Sequence, residues 1–336
     1  MGKLPIETPS LFGENLYPTA KEIMERQQDA PWTAQEIPVD KDTNDYRKGL
    51  DETRLNAVTI ILQSFVEIEQ AVGDVWSEMA SWYPHSEIEG LCKEIARMET
   101  SVHAFFYQKM SDTLNIPPET IKKNQEDTKV IREKLAFLKK ITKDISKDKL
   151  LTKATLALTE QVLLFSNFTI LRSFKSNGHK YIMNTLFGVD YVIRDEEIHG
   201  VAATYLHNTR LKEMQIADPK FDLDKHHKNV LKLVKEVIGH EDDMIDFIFP
   251  GTSPINGITG AQIKVFIRSR ANNVLNDLGF DSLYEIDENP IADWFYKGTK
   301  SIRIHDFFVS GTTQYSRKWD FDAFSALSFI TGKPNE

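Results

Sequence analysis

Apolar residues recur every three or four positions along most of the chain, which is the pattern of amphipathic helices. Between Arg54 and Trp82, for example, they occupy positions 55, 58, 61, 62, 65, 68 and 72. Glycine and proline are sparse, with 16 and 13 residues in 336, and they cluster at the ends of the chain and at a few breaks. The pattern predicts long helices with approximate bounds 54–82, 86–114, 117–144, 151–176, 181–211, 223–248 and 260–279.

The segments that flank this pattern give the predicted domain organisation. Residues 1–50 contain several prolines and are expected to form an irregular N-terminal arm. Residues 51–288 are expected to form one all-α bundle of long helices, in which Ser86 is the N-cap of the second helix and Pro117 lies in the first turn of the third. Residues 289–336 are irregular and aromatic-rich, and we expect them to end in a flexible C-terminal tail.

Composition and charge exclude several classes of protein. Apolar residues make up 41% of the chain and charged residues 27%, which is typical of a soluble globular protein. The net charge of −9 argues against a nucleic-acid partner. The single cysteine, Cys92, excludes a disulfide within the chain and a cysteine-based zinc cluster. We see neither a membrane span nor a signal-peptide pattern and expect a cytoplasmic location.

Four glutamates interrupt helix faces that are otherwise apolar: Glu69, Glu99, Glu160 and Glu196. Helical spacing surrounds each of them with apolar residues, as in the stretch ATLALTEQVLLFSNF around Glu160. An ionised carboxylate buried without a partner costs several kcal/mol, and the sequence shows no run of lysine or arginine expected to be buried beside them. A dinuclear metal centre would supply the missing positive charge.

Two histidines strengthen this interpretation. His199 follows Glu196 by three residues and His103 follows Glu99 by four, so each pair shares one helix face. Two Glu/His pairs with two further glutamates is the ligand plan of di-iron and di-manganese carboxylate bundles. Taken alone, such a pair is common on solvated helix surfaces, and a lone buried histidine is more often a hydrogen-bonded core residue. The metal hypothesis therefore depends on all six residues together.

These residues resemble a known family, the small (β) subunit of class I ribonucleotide reductase. The similarity extends from about Trp32 to the C-terminal tail, and its most specific segments are VIRDEEIHG at 192–200, EQVLLFSNF at 160–168 and METSVHAFFY at 98–107. The resemblance implies a ferritin-like bundle with a di-metal carboxylate core. It implies that Glu69, Glu99 and His103 bind one metal and that Glu160, Glu196 and His199 bind the other.

The same resemblance implies a route for an oxidising equivalent. Tyr107 would be the tyrosine that the oxidised metals convert to a radical. Trp32 would lie near the surface end of an internal path, and Asp195 would link it to His103. Tyr315 would relay the radical to the large subunit, and the acidic, aromatic segment at 319–324 would dock there. Taken without the resemblance, these residues would be ordinary core aromatics or members of a mobile tail.

Three features depart from the family pattern. The first ligand is usually aspartate, whereas here it is Glu69, as in some members of the family, including ones that use manganese, so the metal identity stays open. Glu67 lies two residues away and is an alternative ligand. The usual Glu-x-x-His of the first pair is Glu99-x-x-x-His103 here, a spacing that either a π-bulge or small rotations could accommodate.

The implied function is the generation of an oxidant for nucleotide reduction in a separate large subunit, because one cysteine cannot supply the redox-active pair that reduction needs. The implied cofactor is a dinuclear centre of Fe2, Mn2 or MnFe composition, and a homodimer is expected. Two other classes stay open at this stage. One is a di-metal oxygenase or ligand-binding oxidase on the same scaffold, and the other is a ferritin-like metal-storage protein.

Overall fold

The computed structural model describes residues 3–11, 14–115, 119, 122, 126–144 and 148–296. Within these ranges the protein is helical, and its nearest approach to a strand is one isolated bridge between Ile255 and Ile258. The predicted all-α fold class is confirmed. Tyr315, the segment 319–324 and the rest of the predicted tail lie outside the described residues.

The described helices largely follow the predicted pattern. The longest runs from Met183 to Ala217 and supplies the Glu196/His199 pair. The helix predicted at 223–248 has those bounds in the structure. The helices are α1 Pro18–Gln28, α2 Glu52–Trp82, α3 Ser86–Met98, α4 Ala104–Thr113, α5 Lys129–Asp144, α6 Lys149–Leu158, α7 Phe165–Ser173, α8 Met183–Ala217, α9 Leu223–Ile248 and α10 Gly260–Asp277.

Two of the predicted helices are interrupted by π turns. The turn Glu99–His103 separates α3 from α4, and the turn Thr159–Leu163 separates α6 from α7. A π turn widens the helix by one residue and so changes the direction in which the following side chains project. Both turns contain candidate metal ligands.

The N-terminal arm is more ordered than the sequence predicts. Residues 18–28 form α1, whose inner face buries Ala20 and Ile23. The expectation of irregular structure was wrong here because Pro18 is the first helical residue, a position at which its missing N–H costs nothing. Ser86 is also the first residue of α3 rather than its N-cap, which is His85, and its hydroxyl pairs with that of Ser10.

Helix α2 packs against α3, α4 and α5, while α8 packs against α1, α6 and the π turn Thr159–Leu163, and their apolar faces form one continuous core. The stretch Lys149–Ser173 is long and apolar enough to span a membrane, but its most apolar window is entirely buried within the bundle, as expected of a core helix. Residues just after 289 also join the core, since Ile291 and Phe295 are buried.

Candidate metal centre

Six buried side chains converge in the middle of the bundle, and we refer to them as the carboxylate–histidine cluster. Their potential ligand atoms form two overlapping groups of four, and within each group all atoms lie within 4.8 Å of one another. Two glutamates belong to both groups. The first group is Glu69, Glu99, His103 and Glu196, and the second is Glu99, Glu160, Glu196 and His199.

The two shared glutamates lie between the two imidazoles. From His103 Nδ1, Glu99 Oε2 and Glu196 Oε1 are each 3.2 Å away, and Glu69 Oε2 is 3.5 Å away. From His199 Nδ1, Glu99 Oε1 is 2.5 Å away and Glu196 Oε2 is 3.4 Å away. Each shared glutamate therefore presents a different oxygen to each histidine, an arrangement that suits a carboxylate bridging two cations.

The backbone brings these side chains together through the π turns and two glycines. The turn Glu99–His103 accommodates the additional residue between glutamate and histidine, so that both side chains face the cluster. A Cβ atom added to Gly73 would lie 3.0 Å from Cβ of Glu99, and one added to Gly200 would lie 2.2 Å from Cγ of Gln161. Glycine at these two positions allows α2 and α8 to approach the two turns closely.

The electrostatics of the cluster follow from the burial of four carboxylates with two imidazoles. Burial, together with repulsion from Glu99 and Glu196, raises the pKa of Glu69 well above its usual value. Burial and repulsion from Glu196 likewise raise the pKa of Glu160. Burial alone would raise the pKa of Glu99, but the two histidines outweigh it and lower that pKa.

The two histidines respond to the same carboxylates. Burial opposes their charged form, yet attraction to Glu99 prevails in both cases. The pKa of His103 is raised well above its usual value, and that of His199 is raised from 6.5 to about 9. In the metal-free protein, protons thus provide part of the positive charge that the cluster requires.

Among the described residues, several buried atoms of the cluster have no partner in hydrogen-bonding geometry, although His199 Nδ1 and Glu99 Oε1 lie close together. They are both oxygens of Glu69 and Glu196, Oε1 of Glu99, Oε2 of Glu160 and both ring nitrogens of His199. A buried polar atom left unsatisfied costs about 1–3 kcal/mol. Carboxylate oxygens and imidazole nitrogens are ligands that iron and manganese bind well. The donor set, its geometry and its unsatisfied atoms therefore fit a pair of these metals.

Buried basic residues do exist, contrary to the sequence-based expectation, but each has partners of its own. Lys134 contacts Glu241, Arg172 contacts Asp190 and Arg270 contacts Glu197. Lys153 donates a hydrogen bond to the hydroxyl of Tyr83. Because these groups bond elsewhere, the carboxylates of the cluster still need another source of positive charge.

Two tryptophans bond to carboxylates of this region. Trp32 donates to Asp195 Oδ2 at 2.7 Å, and that same oxygen lies 3.2 Å from Nε2 of His103. Asp195 thus contacts both rings, and we call this arrangement the Trp32–Asp195–His103 connection. Trp76 donates to Glu160 Oε1 at 2.7 Å, a contact that we did not predict. Its signal was available, because Trp76 lies two helical turns after Glu69 on the same face of α2.

Tyr107 is buried one turn after His103, and its hydroxyl has no hydrogen-bond partner among the described residues. Burial, reinforced by Glu69, raises its pKa well above the usual value. Its ring stacks on Phe65 at 4.6 Å, a neighbour the sequence did not identify. Phe106, Phe165 and Phe168 are buried as well, whereas Phe105 is 57% exposed because it projects from the opposite side of α4.

The alternative first ligand, Glu67, lies away from the cluster. Its side chain is 35% exposed and lies 3.3 Å from the ammonium group of Lys139. Glu69 is one of the four residues in the first group of ligand atoms, whereas Glu67 is in neither group.

Comparisons with known proteins agree with this geometry. Residues 14–290 match the protein family described as "Ribonucleotide reductase, small chain". The chain is 30% identical over 236 residues to the ribonucleoside-diphosphate reductase subunit beta of Bacillus subtilis, covering 66% of each chain.

Two solved structures have a similar fold. The ribonucleotide reductase R2 subunit from Clostridium botulinum aligns with a TM-score of 0.75 at 18% identity, covering 84% of this chain and 88% of that one. The dimanganese(II)-NrdF of Streptococcus sanguinis aligns with a TM-score of 0.68 at 21% identity, covering 84% of this chain and 97% of that one.

Proposed function

The chain belongs to the ribonucleotide reductase small-chain family and is its radical-generating subunit, and we propose that the carboxylate–histidine cluster holds the dinuclear metal centre this role requires. The main support for the proposal is the pair of overlapping groups of potential ligand residues, four in each, that share Glu99 and Glu196. Glu69 and His103 complete the group for one metal, and Glu160 and His199 complete the group for the other. Iron and manganese both suit this donor set.

The bound metal pair would supply a strong one-electron oxidant by reaction with O₂ or a reduced oxygen species. The protein's own part is to exclude water from the site and to provide a side chain that can hold the oxidising equivalent. We propose Tyr107 as the side chain that holds it. Its hydroxyl has no hydrogen-bond partner in the part of the chain that the structure describes, and Phe65 stacks on its ring, so a redox-active ring lies in buried, largely apolar surroundings.

The Trp32–Asp195–His103 connection is the proposed route away from the cluster. Two short contacts through one carboxylate oxygen join the indole to the imidazole. Burial alone would raise the pKa of Asp195, but Arg194 and His103 lower it, which favours the carboxylate that both groups contact. Asp195 thus fixes the orientation of His103 and connects it to a second oxidisable ring.

As a small subunit of this family, the chain acts with a large subunit that carries out nucleotide reduction. We propose that Tyr315 and the acidic, aromatic segment at 319–324 make that contact, that the chain is a homodimer, and that it works in the cytoplasm. Removing residues 310–336 should abolish activity with the large subunit while leaving metal content unchanged. Unchanged activity would rule out this role for the tail.

Metal analysis combined with electron paramagnetic resonance tests the central proposal. We expect two iron or manganese ions per chain, fewer in Glu160→Ala, and a tyrosyl signal after activation. Tyr107→Phe should keep both metals and lose that signal. Tyr46→Phe should keep the metals and the signal, because Tyr46 is also buried but its hydroxyl bonds to Thr185. A purely metal-centred signal in the unmodified protein would disprove the assignment to Tyr107.

A further inference from the structure

The π turn Thr159–Leu163, which contains Glu160, is bonded to side chains that approach from outside the carboxylate–histidine cluster. Three backbone groups at this break in the helix bond to side chains: the carbonyls of Gln161 and Leu163 and the N–H of Ser166. The side chains come from α5, α9 and α10, which carry none of the six cluster residues. No feature of the local sequence indicates these contacts.

Lys134 from α5 and Glu241 from α9 bond to the end of the turn. The ammonium group of Lys134 donates to the carbonyl of Leu163 and to Glu241, both at 2.7 Å. The second carboxylate oxygen of Glu241 accepts from the N–H of Ser166 at 3.3 Å. Both side chains are fully buried, so the two charges are balanced by each other and by the backbone groups they contact.

Arg270 from α10 bonds to the middle of the turn. Its Nε donates to the carbonyl of Gln161 at 2.5 Å, and its guanidinium carbon lies 3.3 Å from the centre of the Phe165 ring. Its Nη1 donates at 3.0 Å to Glu197 and to the hydroxyl of Tyr296. Arg270 is therefore fixed on three sides, and it is directed at the residue that follows Glu160.

We propose that Arg270 and Lys134 are positioning residues that maintain the π turn Thr159–Leu163 and thereby direct Glu160 toward the second metal. A π turn is less stable than continuous α-helix, and its unused carbonyls need donors in a dry interior. Charged donors form the stronger hydrogen bonds, and each donor here has a carboxylate that offsets its burial. The inference rests on the proposed function, because it assigns Glu160 to a metal.

Hydrogen exchange measured by mass spectrometry on the metal-free full-length chain tests the effect on the turn itself. A hydrogen bond from a charged donor is worth a factor of about ten or more in a local equilibrium. Arg270→Met should therefore speed exchange at residues 159–166 by about tenfold, with α9 unchanged. Arg268→Met is the matched control, because Arg268 lies on the same helix but bonds to half-exposed Asp242.

Equal exchange in the two variants would overturn the inference, as would faster exchange spread evenly over the bundle, since that would indicate only a general loss of stability. If Arg270→Met does not fold, the double variant Lys134→Met/Glu241→Leu tests the same turn. It removes both buried charges at once and so leaves none uncompensated. It too should speed exchange at residues 159–166, and unchanged exchange there would overturn the inference.

Manganese(II) binding separates this inference from the proposed function. The unmodified chain should bind two ions, and Glu160→Ala should lose at least one. Arg270→Met should then lower the affinity for one of the two ions by about 10- to 100-fold, as loss of a group that supports a ligand typically does. Arg268→Met should leave both affinities unchanged. Equal binding by the unmodified chain and Glu160→Ala would refute the metal assignment. A loss in Glu160→Ala without one in Arg270→Met would refute only the positioning role.

Discussion

Replacing Trp76 by phenylalanine removes one hydrogen bond from the candidate metal centre and keeps an aromatic side chain at that position of α2. The indole N–H donates at 2.7 Å to Glu160, and both side chains are fully buried. Losing a buried bond to a carboxyl group costs about 1.5–3 kcal/mol, and the smaller ring adds about 1 kcal/mol for the space it leaves. We therefore expect the metal-free protein to lose about 2–4 kcal/mol of unfolding free energy.

Metal binding should weaken in the same variant. The bond from Trp76 lowers the pKa of Glu160, so its loss raises that pKa further and lets a proton compete better with the metal. Loss of such a supporting group typically costs 10–100-fold in metal affinity. Urea unfolding of the metal-free chain and titration with manganese(II) measure the two effects.

Trp82→Phe is the control, because Trp82 lies on the same helix but bonds to exposed Glu78 at 3.1 Å. Trp82 is partly buried against the core, so this substitution should cost about 1 kcal/mol or less, which is below the loss expected for Trp76→Phe, and it should leave metal affinity as it was. If the two variants behave alike, the contact between Trp76 and Glu160 does not support the site.

Two further predictions concern packing and pH. Gly73→Ala would place a Cβ atom 2.5 Å from Cγ2 of Thr100, so urea unfolding should show a loss of about 1–3 kcal/mol in unfolding free energy. Gly239→Ala is the control, because its added Cβ atom would meet nothing within 4 Å, and it should be neutral or stabilising. An unchanged unfolding free energy in Gly73→Ala would contradict the close approach of α2 to the turn Glu99–His103. The pKa of His199 is raised from 6.5 to about 9 in the folded, metal-free chain, so its contribution is fully present below pH 6.5 and is lost as the pH rises through about 9. The His199 contribution to the unfolding free energy of the metal-free chain should therefore fall by about 3 kcal/mol between those pH values. His103, Glu69 and Glu160, whose pKa values are also raised, add to the total fall, so His199→Gln should reduce it. A fall of equal size in the variant and in the unmodified chain would show that His199 does not contribute.

The sequence predicts those features that depend on local pattern. The amphipathic repeat predicts α9 with its observed bounds because each turn of a helix carries the same apolar signal. The four glutamates stand out for a related reason, since a charge on an apolar helix face is anomalous wherever the helix packs. The structure brings all four together with His103 and His199.

Features that depend on distant partners could not be predicted in this way. The π turn Thr159–Leu163 is bonded by Arg270, whose partner Gln161 lies 109 positions away along the chain. Local periodicity across the turn is that of an ordinary helix, so we predicted no break there. The burial of Lys134 and Arg270 likewise depends on which helices pack together, and the charge of these residues alone indicates a solvent-exposed face.

The carboxylate–histidine cluster draws its members from α2, two π turns and α8, which are separated by most of the central sequence. No fragment of the chain that lacks α8 can form either four-residue group. During synthesis, Glu69 and Glu99 are therefore made well before Glu196 and His199. Neither group of four ligands can be complete until α8 has been synthesised and has packed against the other elements. Metal binding should consequently begin only after α8 has packed against α2 and the two π turns.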